Sequence, residues 1–187
     1  MQTLRMELDK ALLFCLNDDR IDARDLEKLV GKSREDAVWS VAEAVARRNS
    51  VEAMELVGDL MNSGTYPLVI LTLIIRQFRH LLQARLLWED AGCPTFRGVN
   101  AFRNGVGSTF ESGRFGGGAD DVTTIHPFAT FKKFEMAVHH DPADLARMMG
   151  RLRRADRDAK TGASAGAREV LEELILDLCT TARGRAA

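Results

Sequence analysis

The 187-residue chain is poor in the residues that stiffen or cross-link a fold, with four prolines, three cysteines and one tyrosine. Cys15, Cys93 and Cys179 are odd in number and far apart, and two of them fall on apolar helical faces. That excludes a disulfide framework and fits reduced structural thiols, hence a cytoplasmic location. Charge of one sign is also missing. Lys+Arg 26 against Asp+Glu 27 leaves a formal net charge of -1, so no global field holds nucleic acid or an anionic membrane. Long hydrophobic runs are absent as well: the most apolar stretch, Leu68 to Ile75, is interrupted by Arg76, far short of the roughly 20 residues a membrane span requires. Arg5, Glu7, Asp9 and Lys10 break up the beginning of the chain, so nothing marks it for export. No segment alternates at period two, which argues against a sheet. What remains is 45% hydrophobic and 28% charged, enough for a normal core in one domain, or one plus a small appendage.

Helical periodicity is present almost throughout. Leu4, Leu8, Ala11, Leu12 and Cys15 share one side of a first amphipathic helix, and Asp22 caps a second short one that ends at Gly31. Ser33 with Asp36, and Asn49 with Glu52, have capping spacing ahead of two further helices, the second stopped by Gly64. The stretch from Tyr66 to Glu89 is the most constraining. Leu68, Leu71, Ile75, Phe78, Leu82 and Leu86 recur at helical spacing, and Ile70, Ile74 and Leu81 add a second strip. Its polar groups Thr72, Arg76, Arg79 and Gln83 fall on one narrow stripe, so the helix must be packed on most sides. Periodicity returns at Ile125 and runs to Val138. Asp141 and Pro142 then start another helix, and Ser164 caps a last one that buries Val170, Leu171, Leu174, Ile175 and Leu178. The expected class is all-α, a helical bundle.

Between about residues 92 and 124 the helical period is lost and glycines accumulate, including Gly116 to Gly118, among scattered Phe96, Phe102, Phe110 and Phe115. This reads as an inserted surface loop whose aromatics lie against the body or a partner while the tip stays mobile. Chemistry is sparse. Gly31-Lys32-Ser33 ends like a phosphate-binding loop, but Leu26 stands where a glycine is needed and no strand precedes it. His139-His140-Asp141 offers ligand atoms that diverge rather than converge, so no metal site is expected. No nucleophile, base or paired carboxylate stands out, which predicts no catalytic residue and no cofactor. Arg147, Arg151 and Arg154 share a face of the helix after Pro142. They form either a solvated face or a strip for a partner or nucleic acid.

Several motifs together resemble the carboxy-terminal part of the bacterial DNA polymerase III clamp loader delta subunit. Glu7-Leu8-Asp9-Lys10-Ala11-Leu12-Leu13, Ile21 to Leu26 and Leu29-Val30 are similar to the end of that family's small helical lid domain. Ala53 to Leu60, Gly64 and Pro67 to Leu82, with Arg76-Gln77-Phe78-Arg79, resemble its collar domain. His126-Pro127-Phe128, Ala155-Asp156, Lys160-Thr161-Gly162 and Leu171 to Leu176 resemble its later pattern. The resemblance implies a lid remnant over 1–32 and a collar domain over 33–187, with 92–124 inserted. It further implies a non-catalytic scaffold packing with other clamp-loader subunits, reaching DNA only within the complex and the sliding clamp only through an amino-terminal module missing here. Arg76, Arg79, Gln83, Arg151 and Arg154 are the candidate interface residues, and for the first three, pairing with an internal Asp or Glu is the open alternative. An all-α nucleic-acid-binding regulator is the alternative function, disfavoured by the near-zero net charge.

Overall fold

The computed structural model of the chain describes residues 34–108, 110–161 and 166–180, together with Arg5. Contacts divide the chain into residues 1–37 and 38–187, and almost all described residues fall in the second unit. The expected amino-terminal helices, and the caps expected at Ser33 and Ser164, lie outside the described residues. Among those described there are seven α-helices and no strand, as the all-α class requires. They are α1 (Arg34–Ala46), α2 (Ser50–Asn62), α3 (Pro67–Asp90), α4 (Gly98–Asn104), α5 (Pro127–Ala137), α6 (Pro142–Thr161) and α7 (Ala167–Thr180).

The helix ends follow from local chemistry. Asn49 accepts from the Glu52 amide at 3.2 Å and donates to the Glu52 carboxylate at 2.8 Å, a reciprocal cap on α2. That helix stops where Gly64 takes φ +85° and the Thr65 amide reaches back to the Leu60 carbonyl at 3.0 Å. Pro67 and Pro127 begin α3 and α5 at a position that has no use for an N–H. Asp141 accepts from the Ala143 amide at 2.7 Å ahead of α6.

The long helix α3 is the centre of the bundle, packed chiefly on α6 and α5 and also on α7. Ile70, Leu71, Ile74, Phe78, Leu81, Ala84 and Leu87 form its buried line, facing Leu145 and Leu152 of α6, Phe134 of α5, and Leu171 and Ile175 of α7. Full burial of each large side chain contributes about 1.5–3 kcal/mol. One expectation is corrected here: Leu86, assigned to the main apolar strip, is 41% exposed. The buried line is centred on the second strip, so Leu68, Ile75 and Leu82 flank the core. On α7, by contrast, Val170, Leu171, Leu174, Ile175 and Leu178 are all buried as their spacing predicts.

The segment expected to be aperiodic is built differently. It contains α4 and two short 3-10 turns, Val106–Ser108 and Gly118–Asp120. Phe102 is 2% exposed, with its ring centroid 4.9 Å from that of Phe134 and 5.8 Å from that of Phe131 on α5. Phe96 meets Phe102 edge-on at 5.4 Å, and Phe110 stacks on Phe134 at 5.2 Å. Such pairs contribute about 0.5–1.5 kcal/mol beyond their buried area. The scattered phenylalanines are therefore a satellite core, and they hold the segment against α5.

Candidate functional site

The polar stripe of α3 is the one place where several candidate residues converge. Arg76 Nε donates to Asp120 Oδ1 at 3.0 Å and Arg79 Nη1 to Asp120 Oδ2 at 2.5 Å, so one carboxylate receives two guanidiniums. Their 3-residue spacing on a helix sets both side chains on one face, within reach of the turn that carries Asp120. Burial pushes the Asp120 carboxyl up, but the hydrogen bond from Arg76 and the charges of Arg79 and Arg76 outweigh it and hold the group below the usual carboxylate range. Gln83 uses both ends of its amide. It donates to the Asp120 carbonyl at 3.1 Å and accepts from the Val122 amide at 2.9 Å, which fixes its orientation.

His80, between these residues on the same face, completes the contact. Its Nε2 lies 3.0 Å from the Ala119 carbonyl oxygen, which can only accept, so Nε2 carries the proton. Nδ1 is then an acceptor, buried and without a partner among the described residues. Burial first, then the nearby charges of Lys133 and Arg76, lower the His80 pKa from 6.5 to about 4. The ring is therefore neutral at physiological pH. Lys133 itself is buried, donates to Gln77 on α3 and sits 3.2 Å from the centroid of the Trp39 ring. A cation over an indole face in a water-poor setting is an attractive contact.

Asp121, next to the doubly paired Asp120, has no exposed surface. Its carboxylate accepts from the amides of Phe115 at 2.8 Å, Gly117 at 3.0 Å and Thr123 at 2.8 Å, and from the Thr123 hydroxyl at 2.6 Å. Burial raises the pKa, but these four donors more than offset it and leave the group lowered. Gly116, Gly117 and Gly118 have φ of +104°, +77° and +70°, a left-handed run that side chains disfavour. The glycines thus wrap the backbone around the Asp121 carboxylate.

The other two candidates lie elsewhere. Arg151 pairs with Asp177 at 3.2 Å and donates to the Asp177 carbonyl near the end of α7. Arg154 is exposed on α6. The structure therefore joins Arg76, Arg79 and Gln83 in one internal contact and leaves Arg151 and Arg154 apart from it. His80, Asp120 and Asp121 were missed in the sequence, though Asp121-Val122-Thr123 is a recognisable Asx-turn pattern. Among the described residues no group of His, Cys, Asp and Glu is arranged to hold a metal ion, and no helix is long and apolar enough to cross a membrane.

Residues 35–93 match the family model for the DNA polymerase III delta subunit, C-terminal domain. The chain is a carboxy-terminal fragment of the delta-subunit type. The DNA polymerase III subunit delta of Bacillus subtilis (strain 168) is 26% identical over 90 residues, 48% of this chain and 26% of the relative. The solved Bacillus subtilis DNA clamp loader delta protein superposes with a TM-score of 0.69 at 21% identity, over 96% of this chain and 46% of that one. This likeness establishes a shared fold. The chain thus spans less than half the length of either relative. The delta-subunit match takes in Arg76, Arg79, His80 and Gln83 but ends before the segment that receives them.

Proposed function

We propose that this chain is a non-catalytic scaffold of the clamp loader, a delta-subunit domain that packs beside the corresponding helical domains of other subunits. The match over residues 35–93, which spans most of α1 and all of α2 and α3, carries this reading. A replication role agrees with the cytoplasmic location that the cysteine usage suggests. The physical character of the domain supports it too. Apolar side chains remain exposed on several helices, including Val51 at 66%, Phe128 at 51% and Leu176 at 45%, with Tyr66 at 61% beside α3. Aromatic and aliphatic groups of this kind form the centres of interfaces between subunits.

Of the five candidate interface residues, Arg154 is the most available to a neighbour. Arg76 and Arg79 would offer a partner the rim of an ion pair already closed by Asp120, and Gln83 is buried beneath it. Mixing the chain with partner clamp-loader subunits on size exclusion is the test. Co-elution is expected, and Arg154→Glu should weaken it without changing the melting temperature. A chain that melts cooperatively but elutes alone at micromolar concentrations would contradict the scaffold reading.

A further inference from the structure

Away from the α3 stripe, Arg48, Asp144, Arg147, Met148 and Arg151 line a shallow cleft of about 250 Å³ of free space. Three guanidiniums and a single carboxylate face it. Arg48 follows α1 in a left-handed conformation with φ +60°, which a residue with a β-carbon rarely adopts. From there its Nη1 donates to the Leu178 carbonyl, one of the last carbonyls of α7. Arg151 bonds the neighbouring Asp177 carbonyl at 3.3 Å, so two cations stabilise the negative end of one helix. This structural work occupies only part of their capacity, because each guanidinium has five donors. None of the nitrogens of Arg48, Arg147 or Arg151 is among the buried groups that lack a partner, so their remaining donors are bonded or reach solvent.

Positive charge also exceeds what the adjacent acids neutralise. Arg147 pairs with Asp144 and Arg151 with Asp177, but among the described residues Arg48 has no carboxylate. His140 responds to this field: burial, then the charges of Arg48 and His139, lower its pKa. Near it, Arg85 Nε and Nη1 are buried without an acceptor among the described residues, although Arg85 pairs with Glu89 through its other terminal nitrogen at 3.0 Å. The neighbourhood therefore has more cations and donors than acceptors.

We propose that the cleft lined by Arg48, Arg147 and Arg151 binds a single oxyanion. Guanidiniums match the planar or tetrahedral oxygen arrays of carboxylate and phosphate by paired N–H contacts. The acids interleaved at Asp144, Asp156 and Asp158 on α6 oppose a polyanion running along the helix, which favours one isolated anionic group. A carboxylate presented by a neighbouring protein chain and a free phosphate share this chemistry.

Titration of the chain at constant ionic strength, followed by backbone amide NMR, tests the proposal. The probes are inorganic phosphate, N-acetyl-glutamate amide and a single-stranded oligonucleotide. Phosphate should give saturable shifts confined to residues 47–50, 144–151 and 177–179, and the glutamate derivative should reproduce them if a protein carboxylate is the natural source. Phosphate alone producing them assigns the site to phosphate groups. Arg147→Gln, at a side chain 65% exposed and so dispensable for folding, should weaken binding roughly fivefold. Asp144→Asn should tighten it roughly threefold by freeing Arg147, a gain that a purely structural role for these arginines does not produce. Arg154→Gln should leave it unchanged. Linear, non-saturating shifts, or equal responses in all three variants, would overturn the proposal. So would an oligonucleotide that binds more tightly than phosphate with shifts spread along α6.

Discussion

Helices α3 and α6 carry stripes of the same design, with Arg76, Arg79 and Gln83 on one and Arg147, Arg151 and Arg154 on the other, each spaced by three or four residues. Their environments differ because of what lies opposite. The α3 stripe faces a folded turn whose Asp120, Ala119 carbonyl and Val122 amide take up every group on it. The α6 stripe meets an acid one turn away, then the end of α7, then solvent. Helical spacing tells which side chains share a face. It does not tell whether that face is an inner or an outer one, because the partner is distant in sequence.

The sharpest way to break the contrast is to remove the anchor of the turn that α3 grips. Asp121→Ala leaves three amides and a hydroxyl without their acceptor in a buried place, and should destabilise the chain by about 3 kcal/mol in urea unfolding. A loss under about 0.5 kcal/mol, the usual range of surface changes, would mean that the turn is not part of the cooperative fold.

Acid should act on the same contact more gently. The folded-state pKa of His80 is about 4, below the ordinary 6.5, so the unfolded chain takes up this proton first as pH falls. Stability associated with neutral His80 is complete above pH 6.5 and is lost between pH 6.5 and about 4, on the order of 2 kcal/mol. His140 is shifted in the same direction and adds to the trend. His80→Gln keeps a donor for the Ala119 carbonyl but does not titrate, so its stability should fall less steeply over that window. An unchanged slope would remove His80 from the explanation.

Smaller effects separate the two stripes directly. Asp120→Ala breaks two partly exposed ion pairs and should cost about 1 kcal/mol. Arg154→Glu, at an exposed position on α6, should change stability by less than about 0.5 kcal/mol. Equal effects on thermal melts would erase the distinction between an inward and an outward stripe.

What could be read in the sequence was what neighbours along the chain decide. The Asn49–Glu52 cap, the Pro67, Pro127 and Pro142 starts and the buried face of α7 all depend on residues within a turn or two. Leu86 was misassigned because two apolar strips at helical spacing differ by a small rotation, and only the packing against α5, α6 and α7 chooses between them. The 92–124 segment failed for another reason. Its order comes from pairings such as Phe110 with Phe134 and Asp120 with Arg76, which join residues 24 and 44 positions apart. Its glycines, which signal freedom in an unfolded chain, here serve a left-handed path around Asp121. For the candidate site, the stripe was legible as a unit, and the choice between a neighbour and an internal acid was not.

Amide hydrogen exchange tests most directly whether α3 turns its polar stripe onto a folded segment. The amides of Val122, which donates to Gln83, and of Phe115, Gly117 and Thr123, which donate to Asp121, should exchange at least roughly a hundredfold more slowly than unprotected amides. Exchange of all four at unprotected rates, while the amides of α3 and α6 stay protected, would show that segment to be a free loop and leave Arg76, Arg79 and Gln83 open to a neighbour.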